Sequence, residues 1–249
     1  SSPGGAFDLD GDFVPDFTGE GTPYDLGSYV PGTAYTIGGD STPTQSYYGD
    51  YTPYTRKHIG NVMARFEVSR ELELYAEAKY VNTYAWTESQ PTYDLYTFLQ
   101  PDNAFVAERF GAGAATDVVM FSRDNLDFGT RKYELNRELF RTVIGAKGAL
   151  TDHFNYDFSF VFGQSTQRST NNGDRIADRY YAAIDAVYDD QGNITCRINL
   201  PGETDIYGES FGNPVVHNGP PVTFQKGQCV LLNIMGDGSP SQDALNFVL

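Results

Sequence analysis

Apolar and polar residues alternate along two neighbouring runs of the chain, at 62–68 and 72–86. Strict alternation over several residues is typical of a β-strand with two chemically different faces. The two runs are joined by the short turn Ser69-Arg70-Glu71. The pattern therefore predicts an antiparallel hairpin at 60–88.

The same pattern returns at 140–150 and 156–162, on either side of the short segment Thr151-Asp152-His153. It predicts a second hairpin at 138–165. The chain is thus expected to be mainly β, with antiparallel strands.

The two faces of these predicted strands differ in chemistry, because none of the even-numbered positions in the four runs is charged. We call the even-numbered set the apolar face; it comprises Val62, Ala64, Phe66, Val68, Leu72, Leu74, Ala76, Ala78, Ile144, Ala146, Phe158, Phe160 and Phe162. The odd-numbered set is the charged face; it comprises Arg65, Glu67, Glu73, Glu77, Lys79, Arg141, Lys147 and Asp157. The charged face balances four acids against four bases.

The connections between the runs have very unequal lengths. Turns of about three residues close the hairpins, whereas segments of about 50 and 85 residues follow them. Short turns at one end and long loops at the other are typical of outer-membrane barrels. Alternation itself also fits a soluble sheet with one buried face, so the pattern leaves both architectures open.

The segments outside the hairpins show no sustained period and are predicted as loops. They are 1–55, 89–137 and 166–249, with the hairpins taken as 56–88 and 138–165.

Cap signals predict three short helices within these loops, at about 102–110, 175–188 and 240–248. Asp102 and Asp174 are the expected N-caps of the first two, and Gly111 follows the end of the first. Ser239-Pro-Ser-Gln242 has the form of a capping box with proline at the first helical position, and it opens the third.

Charge narrows the choice of partners. The chain has 33 acidic and 17 basic residues, for a net charge of −16. Phosphate backbones need clustered lysine and arginine, so we expect no nucleic-acid partner. The 18 tyrosines, 17 phenylalanines and 26 glycines fit β structure with many turns.

Cys196 and Cys229 are the two cysteines of the chain. They form either one disulfide or two free thiols; we expect the disulfide, as in an exported protein. Closing that loop stabilises the fold by about 3–4 kcal/mol on a chain-entropy estimate.

Four acids near the start of the chain, Asp8, Asp10, Asp12 and Asp16, have the spacing of positions 1, 3, 5 and 9 of a calcium loop. However, Phe13 occupies the sixth position, where such loops have glycine. The sequence predicts either a calcium site or an acidic, solvated surface loop, and we expect no other cofactor.

Tyrosines are dense between residues 24 and 54; they are Tyr24, Tyr29, Tyr35, Tyr47, Tyr48, Tyr51 and Tyr54. Such side chains suit stacking against a sugar or an aromatic ligand. Packing between loops explains them as well.

Signals for catalysis are weak, and we expect no enzyme. The histidines are far apart in sequence, at His58, His153 and His217. Ser210 lies in GESFG but within a predicted loop, without the strand and helix that a nucleophile elbow needs. Gly111-x-Gly113 follows no predicted strand. Glu71 and Glu73 have the form of a glycosidase-like carboxylate pair, but lumen lining or a solvated face explains them better.

Several stretches together resemble an internal segment of a TonB-dependent outer-membrane receptor. They are RKHIGNVMARFEVSRELELYAEAKYVNTYA (56–85), FSRDNLDFGTRKYELNRELFRTVIGAKGAL (121–150), HFNYDFSFVFGQS (153–165) and, within 179–248, RYYAAIDAVYDDQGNITCR and GQCVLLNIMGDGSPSQDALNFV. The resemblance covers roughly 55–249 and rests on the order and spacing of these stretches. It implies a Gram-negative cell outer membrane, a transmembrane barrel and long extracellular loops.

The chain departs from that family in lacking a plug-like segment, an energy-coupling box and a terminal aromatic strand. Four strands cannot close a barrel. We therefore expect a segment of a longer receptor, and the isolated segment is expected to cover its apolar face with its own loops, with detergent or with a second copy.

The resemblance implies a receptor for energy-coupled uptake of a scarce nutrient, such as a siderophore, a vitamin or an oligosaccharide. The apolar face would contact lipid and the charged face would line the lumen. The ligand would bind at the extracellular loops, and the absent plug would reach an energy-coupling inner-membrane protein. The alternative is a soluble, secreted, β-rich module that binds glycans and carries the calcium loop.

Overall fold

The computed structural model describes residues 1–33, 35–69, 71–115, 117–151, 153–207, 221 and 223–249. The chain divides into two compact units. The packed unit comprises Ser1–Tyr48, Gln90–Arg131 and Gly173–Leu249, and the hairpin unit comprises Gly49–Ser89 and Lys132–Asn172.

Twelve strands and three α-helices are assigned within the described residues. The strands are β1 (Ala6–Asp8), β2 (Phe17–Thr18), β3 (Ser28–Tyr29), β4 (Thr36–Ile37), β5 (Tyr54–Ser69), β6 (Leu72–Ser89), β7 (Tyr93–Leu99), β8 (Val119–Asp124), β9 (Arg131–Thr151), β10 (Phe154–Asn172), β11 (Ala186–Tyr188) and β12 (Ile194–Cys196). The helices are α1 (Ala104–Phe110), α2 (Ala177–Ile184) and α3 (Gln242–Val248).

The hairpin unit is one antiparallel sheet with the strand order β10-β9-β6-β5. The mainly antiparallel β character predicted from the sequence is confirmed. Phe66 lies opposite Leu74 and Phe160 lies opposite Ile144, so even-numbered residues face even-numbered residues in both hairpins. Directly opposed residues share a face, and the register therefore keeps the two predicted faces separate.

The strands of this sheet are longer than the sequence pattern predicts. β5 begins at Tyr54, β9 begins at Arg131 and β10 runs on to Asn172. In these extensions polar residues fall on both faces, so the alternation of hydrophobicity fades while the backbone pairing continues. Arg70 and Asp152, in the predicted turns, lie outside the described residues.

The packed unit contains a second sheet, with the strand order β2-β1-β8-β7, and it lies where the sequence predicted loops. The predictions of loop throughout 1–55 and 89–137 were wrong in this respect. All three residues of β1 and all six of β8 are buried. A strand buried on both faces does not alternate, so it gives no period-two signal.

The core of the packed unit draws on all three of its segments. Its fully buried members include Phe7, Phe121, Tyr180, Leu232 and Val248. The rings of Phe7 and Phe121 stack with their centroids 5.8 Å apart. Segments distant in sequence thus share one core.

The helices lie near the predicted places, with different ends. The N-cap of α1 is Asn103 rather than Asp102, because the Asn103 side chain accepts hydrogen bonds from the backbone N–H groups of Phe105 and Val106. Ser241, not Ser239, caps α3 by accepting from the N–H of Ala244.

The second helix is shorter than predicted at both ends. The residue at its N-cap position is Ile176, without a side-chain cap, instead of Asp174. It ends at Ile184 because the next residues leave the helix to form β11, which pairs with β12. None of the described helices is long and apolar enough to cross a membrane.

Gly19 lies at a close junction of three backbone segments in the packed unit. Its N–H donates to the Gly5 carbonyl at 2.9 Å, and the N–H of Gly236 donates to the Gly4 carbonyl at 2.9 Å. A Cβ at residue 19 would overlap the Gly4 carbonyl oxygen and lie 2.5 Å from the Gly236 nitrogen. Both neighbours are backbone atoms, which cannot move aside as a flexible side chain does.

We predict that Gly19→Ala lowers the free energy of unfolding of the packed unit by about 1–3 kcal/mol or more, since that is the usual cost of overpacking. Hydrogen exchange in peptides covering β1 and β8 measures this loss locally. Gly60→Ala is the matched control, because a Cβ there meets open space. Unchanged exchange in the Gly19→Ala variant would contradict the close junction.

Candidate functional site

The apolar face of the hairpin unit carries large side chains that are exposed. Eight of them, Val62, Phe66, Val68, Leu74, Ile144, Phe158, Phe160 and Phe162, are between 43% and 72% exposed. A shallow depression between Leu74, Ile144 and Phe160 lies on this face. Large contiguous apolar surfaces on a protein mark contact with another protein, a ligand or a membrane.

The exposed apolar residues form a band that ends at the same level on neighbouring strands. On β5 and β6 the last pair of the band is Gly60 with Tyr80, and the next pair on that side is His58 with Asn82. Asn82 also reaches β9, where its Nδ2 donates to Asn136 Oδ1 at 3.1 Å. The first residue pair beyond this level is therefore polar.

The boundary continues at this level on β9 and lies one residue pair nearer the hairpin turn on β10, where Phe162 is the last apolar residue. Phe140 ends the band on β9 and lies opposite Gln164, while the next pair on that side is Glu138 with Thr166. The hydroxyl of Tyr80 donates to Glu138 Oε1 at 3.4 Å, which ties the boundary of β6 to that of β9. The apolar band is therefore bounded by a nearly straight polar edge across the sheet.

Aromatic rings and cations lie beyond this edge, on the same side of the sheet. The Lys132 ammonium lies 4.9 Å from the centroid of the Trp86 ring, and the Arg56 guanidinium lies 5.6 Å from that of Tyr84. Tryptophan, tyrosine and basic side chains are enriched where a membrane meets water.

The charged face lies on the other side of the same strands. Lys147 Nζ lies 3.4 Å from Glu73 Oε1. Glu73 is directly opposite Glu67, and Lys147 is directly opposite Asp157, so the lysine lies between the two groups of acids. The side chains of Glu67, Glu73, Lys147 and Asp157 line an open groove of about 670 Å³. The face is not uniformly polar, because Met63 is also exposed there.

Tyr75 bridges three strands on the charged face. Its hydroxyl donates to Asp157 Oδ1 on β10 at 2.6 Å. The ring lies across β9 at Gly145, where a Cβ would overlap it. Glycine at this position thus allows an aromatic side chain to cover a strand and reach the next one.

The two units differ sharply in charge. The hairpin unit contains ten acids and ten bases, and the packed unit contains the remaining 23 acids and seven bases. The whole net charge of −16 therefore belongs to the packed unit.

A buried polar cluster holds the packed unit together around Asp94. Arg175 Nη1 donates to both Asp94 oxygens at 2.7 Å, the Tyr180 hydroxyl donates at 2.8 Å and Asn125 Nδ2 donates at 2.9 Å. Burial opposes the charge of Arg175, but the adjacent Asp94 carboxylate raises its pKa above the usual value. Burial and the adjacent Asp94 carboxylate raise the pKa of Tyr180, which therefore stays a hydrogen-bond donor.

A second ion-pair cluster centres on Arg197. Its Nε donates to Asp185 at 2.9 Å and its Nη1 donates to Asp102 at 3.0 Å. The hydrogen bonds from Arg197 lower the pKa of Asp102, whereas burial raises that of Asp185. Asp102, predicted as a helix cap, instead joins the start of α1 to the residues after β12.

The predicted disulfide is confirmed between Cys196 and Cys229. Cys196 is fully buried in a small cluster with Ala182, Ile198 and Ile206. The bond ties β12 to the segment that leads into the Leu232–Met235 part of the core.

The structure brings together three of the four acids of the predicted calcium loop. Carboxylate oxygens of Asp8, Asp10 and Asp16 lie within 4.8 Å of one another; Asp12 is not part of this group. The Asp8 carboxylate accepts backbone hydrogen bonds, among them one from the N–H of Phe13 at 2.8 Å. Phe13 has a φ of 67°, the left-handed conformation of the sixth position of such loops. Calcium binding stays a prediction.

The remaining sequence candidates do not converge on a catalytic arrangement within the described residues. His58 is exposed on β5 and His153 is exposed beside the turn of the second hairpin. Ser210 and His217 lie outside the described residues. Glu71 is exposed, and its carbonyl oxygen accepts a hydrogen bond from the Tyr156 hydroxyl. The absence of enzymatic activity stays a prediction.

The tyrosines between residues 24 and 54 differ in whether their hydroxyls hydrogen-bond to another side chain. The Tyr47 hydroxyl donates to Asp124 at 3.1 Å, and Tyr24 shares a hydrogen bond with Ser41. Tyr29, Tyr35 and Tyr51 are exposed. Packing between loops therefore accounts for some of these residues but not for all of them.

Sequence reasoning missed the residues at the centre of the packed unit. Asp94 and Arg175 are 81 positions apart, and neither belongs to a recognisable motif. The one sequence signal belongs to Asp94, which is the single charged residue of β7 and therefore favours a buried ion pair, whereas Arg175 lies in a polar stretch beside Asp174.

Comparisons with models of known protein families and with curated proteins find no match for this chain. Its resemblance to TonB-dependent receptors therefore stays an interpretation of the sequence.

We predict that Arg175→Met lowers the free energy of unfolding by about 3–5 kcal/mol, because it leaves the Asp94 charge buried without its cation. Tyr180→Phe removes one hydrogen bond to that charge and is expected to cost about 1.5–3 kcal/mol. Urea unfolding followed by circular dichroism measures both. Lys226→Met is the control, because that exposed lysine donates only to a backbone carbonyl among its described contacts. Equal stability of the Arg175 and Lys226 variants would show that the cluster contributes little.

Proposed function

We propose that this chain is a segment of an outer-membrane transport receptor. In this account the apolar face of the hairpin unit contacts lipid, and the charged face lines the lumen of the complete barrel. The packed unit is an extracellular domain that takes part in capturing the ligand.

The nearly straight polar edge of the apolar band is the observation that carries this proposal. A membrane is a planar medium, so the change from apolar to polar must follow one straight line across adjacent strands. A protein partner imposes no such straight boundary. On the even-numbered side of the sheet, the band covers nine to eleven residues per strand, at 60–68, 72–80, 140–150 and 154–162.

The dimensions of the band support the same interpretation. Nine residues span roughly 30 Å along a strand, and a tilt of about 40° reduces this to roughly 23 Å. The apolar band of an outer-membrane barrel is about 25 Å tall.

The distribution of charge is also what lipid requires. A lysine or arginine on the lipid side at mid-bilayer costs about 2–4 kcal/mol. In the strand segments that carry the band, all eight charged side chains project from the charged face, where an aqueous lumen would hydrate them.

The connectivity supports an external position for the packed unit. The chain passes between the two units at residues 48–49, 89–90, 131–132 and 172–173. All four passages are at the strand ends away from the hairpin turns. Long connections at the ends opposite short turns are the extracellular loops of such barrels.

In the complete receptor, a plug outside this chain would couple transport to an inner-membrane energy source. The ligand is a scarce nutrient, and its external binding surface is part of the packed unit. The edges of β5 and β10 would pair with further strands, because a barrel leaves no edge open.

Tryptophan quenching by brominated lipid tests the lipid-facing assignment. The single tryptophan, Trp86, is first replaced by phenylalanine, and a new tryptophan is placed by Phe160→Trp or by Val161→Trp. These neighbours are 64% and 50% exposed and lie on opposite faces of β10. We predict at least twofold stronger quenching at position 160 in bicelles containing brominated phosphatidylcholine.

Val161→Trp is the matched control, since it alters the adjacent residue of the same strand. Equal quenching at both positions, or none at either, would contradict lipid contact and favour a soluble glycan-binding module. Circular dichroism of both variants verifies that the sheet is retained.

A further inference from the structure

We propose that the hairpin of β3 and β4, together with the acids of Ser1–Tyr48, forms a docking surface for a lysine- and arginine-rich peptide. The proposal deepens the receptor function by naming a class of ligand for the packed unit. It rests on the proposed function only in treating that surface as external.

The hairpin, here called the arm and comprising the described residues 25–33 and 35–40, presents large side chains to solvent. Tyr29, Tyr35 and Ile37 are 68%, 71% and 72% exposed. Ile37 lies opposite Ser28, and Tyr29 lies opposite Thr36. Since side chains alternate along a strand, Tyr35 and Ile37 share one face and Tyr29 lies on the other.

The base of the arm is held by a closed set of hydrogen bonds. The N–H of Asp40 donates to the Asp25 carbonyl, and the N–H of Asp25 donates to Asp40 Oδ2, both at 2.8 Å. Gly39 has a φ of 76°, and a Cβ there would overlap the Asp25 carbonyl oxygen. The arm is thus ordered before any ligand arrives, which lowers the entropy cost of binding.

The segment that carries the arm contains acidic side chains and no basic ones. Residues Ser1–Tyr48 include seven acids and no lysine, arginine or histidine. Five of the acids are exposed; they are Asp10, Asp12, Glu20, Asp25 and Asp40. The local potential therefore attracts cations and repels anionic ligands.

The cations of the packed unit are bound within it, and among the described residues none forms an ion pair with the acids of Ser1–Tyr48. Arg109 donates to this segment only through the Glu20 carbonyl, at 3.4 Å. The seven, Arg109, Arg123, Arg131, Arg175, Arg179, Arg197 and Lys226, each donate a hydrogen bond to a carbonyl or a carboxylate within the unit. Several of the exposed acids are consequently available to an external partner.

A peptide fits this arrangement better than a small cation. The exposed acids are spread along the segment instead of converging on one point, and a basic peptide carries cations at matching intervals. Tyrosine faces attract ammonium and guanidinium groups, while Ile37 offers contact to their aliphatic stems. Among the described strands, β3 and β4 pair only with each other, so each has an edge on which an extended peptide can add a strand.

Fluorescence anisotropy of labelled deca-lysine tests the proposal on the full chain in detergent at low salt. The arm variant Tyr29→Ser/Tyr35→Ser/Ile37→Thr changes no charge and is expected to weaken binding at least tenfold. Asp25→Asn/Asp40→Asn keeps the side-chain oxygens that hold the base of the arm, and it is also expected to weaken binding at least tenfold. Asp190→Asn/Asp243→Asn removes the same charge elsewhere in the packed unit and should change binding less than threefold.

Deca-glutamate should not bind, and raising the salt to about 0.5 M should abolish deca-lysine binding, because screening shortens the reach of the acids. Equal binding of deca-lysine by the arm variant and the native chain would reveal general charge attraction and overturn the proposal. Absence of deca-lysine binding to the native chain would also overturn it. If the tryptophan at position 160 is not quenched by lipid but deca-lysine still binds through the arm, the receptor function is contradicted and the docking surface stands. If the tryptophan is quenched but deca-lysine does not bind through the arm, only the docking surface is contradicted.

Discussion

The proposed function depends on one physical constraint, which is that the apolar face of the hairpin unit leaves water for lipid. Removing a valine, leucine, isoleucine or phenylalanine side chain from water contributes about 1.5–3 kcal/mol. Eight such side chains are largely exposed on the sheet, so their environment matters as much as the whole net stability of a typical domain, about 5–15 kcal/mol. Lipid provides an apolar environment for these side chains and does not require the shape complementarity that a protein partner would need.

The same constraint accounts for the division of charge between the units. Strands that touch hydrocarbon must carry their charges on the other face, and in the hairpin unit those charges balance. The packed unit has no such restriction and carries the full excess of acid. It is stabilised in the manner of a soluble domain, through a shared core, the Asp94 and Arg197 clusters and the Cys196–Cys229 disulfide. A segment with a −16 domain and a neutral sheet is suited to two different media.

The two hairpins could be predicted from the sequence because each strand has one apolar and one polar face. The register between the two hairpins could not be predicted, because the position of Tyr80 beside Glu138 depends on pairing between strands almost 60 residues apart. β1 and β8 could not be predicted because burial on both faces removes the alternation. Asp102 and Asn103 are both competent caps, and only tertiary contact decides, since Asn103 also donates to the Ile184 carbonyl. Ala186–Tyr188 continues a helical apolar pattern, yet pairing with β12 draws it into a strand.

Spin-label accessibility along β9 tests the central claim most directly. Single nitroxides at the even positions from 132 to 150, in bilayers, report collisions with oxygen, which concentrates in hydrocarbon, and with a water-soluble nickel chelate. The account predicts that oxygen contact dominates from 140 to 150 and that chelate contact takes over at 138 and below. A chelate-accessible profile along the whole strand, or one with no change between 138 and 140, would contradict lipid contact at the apolar face.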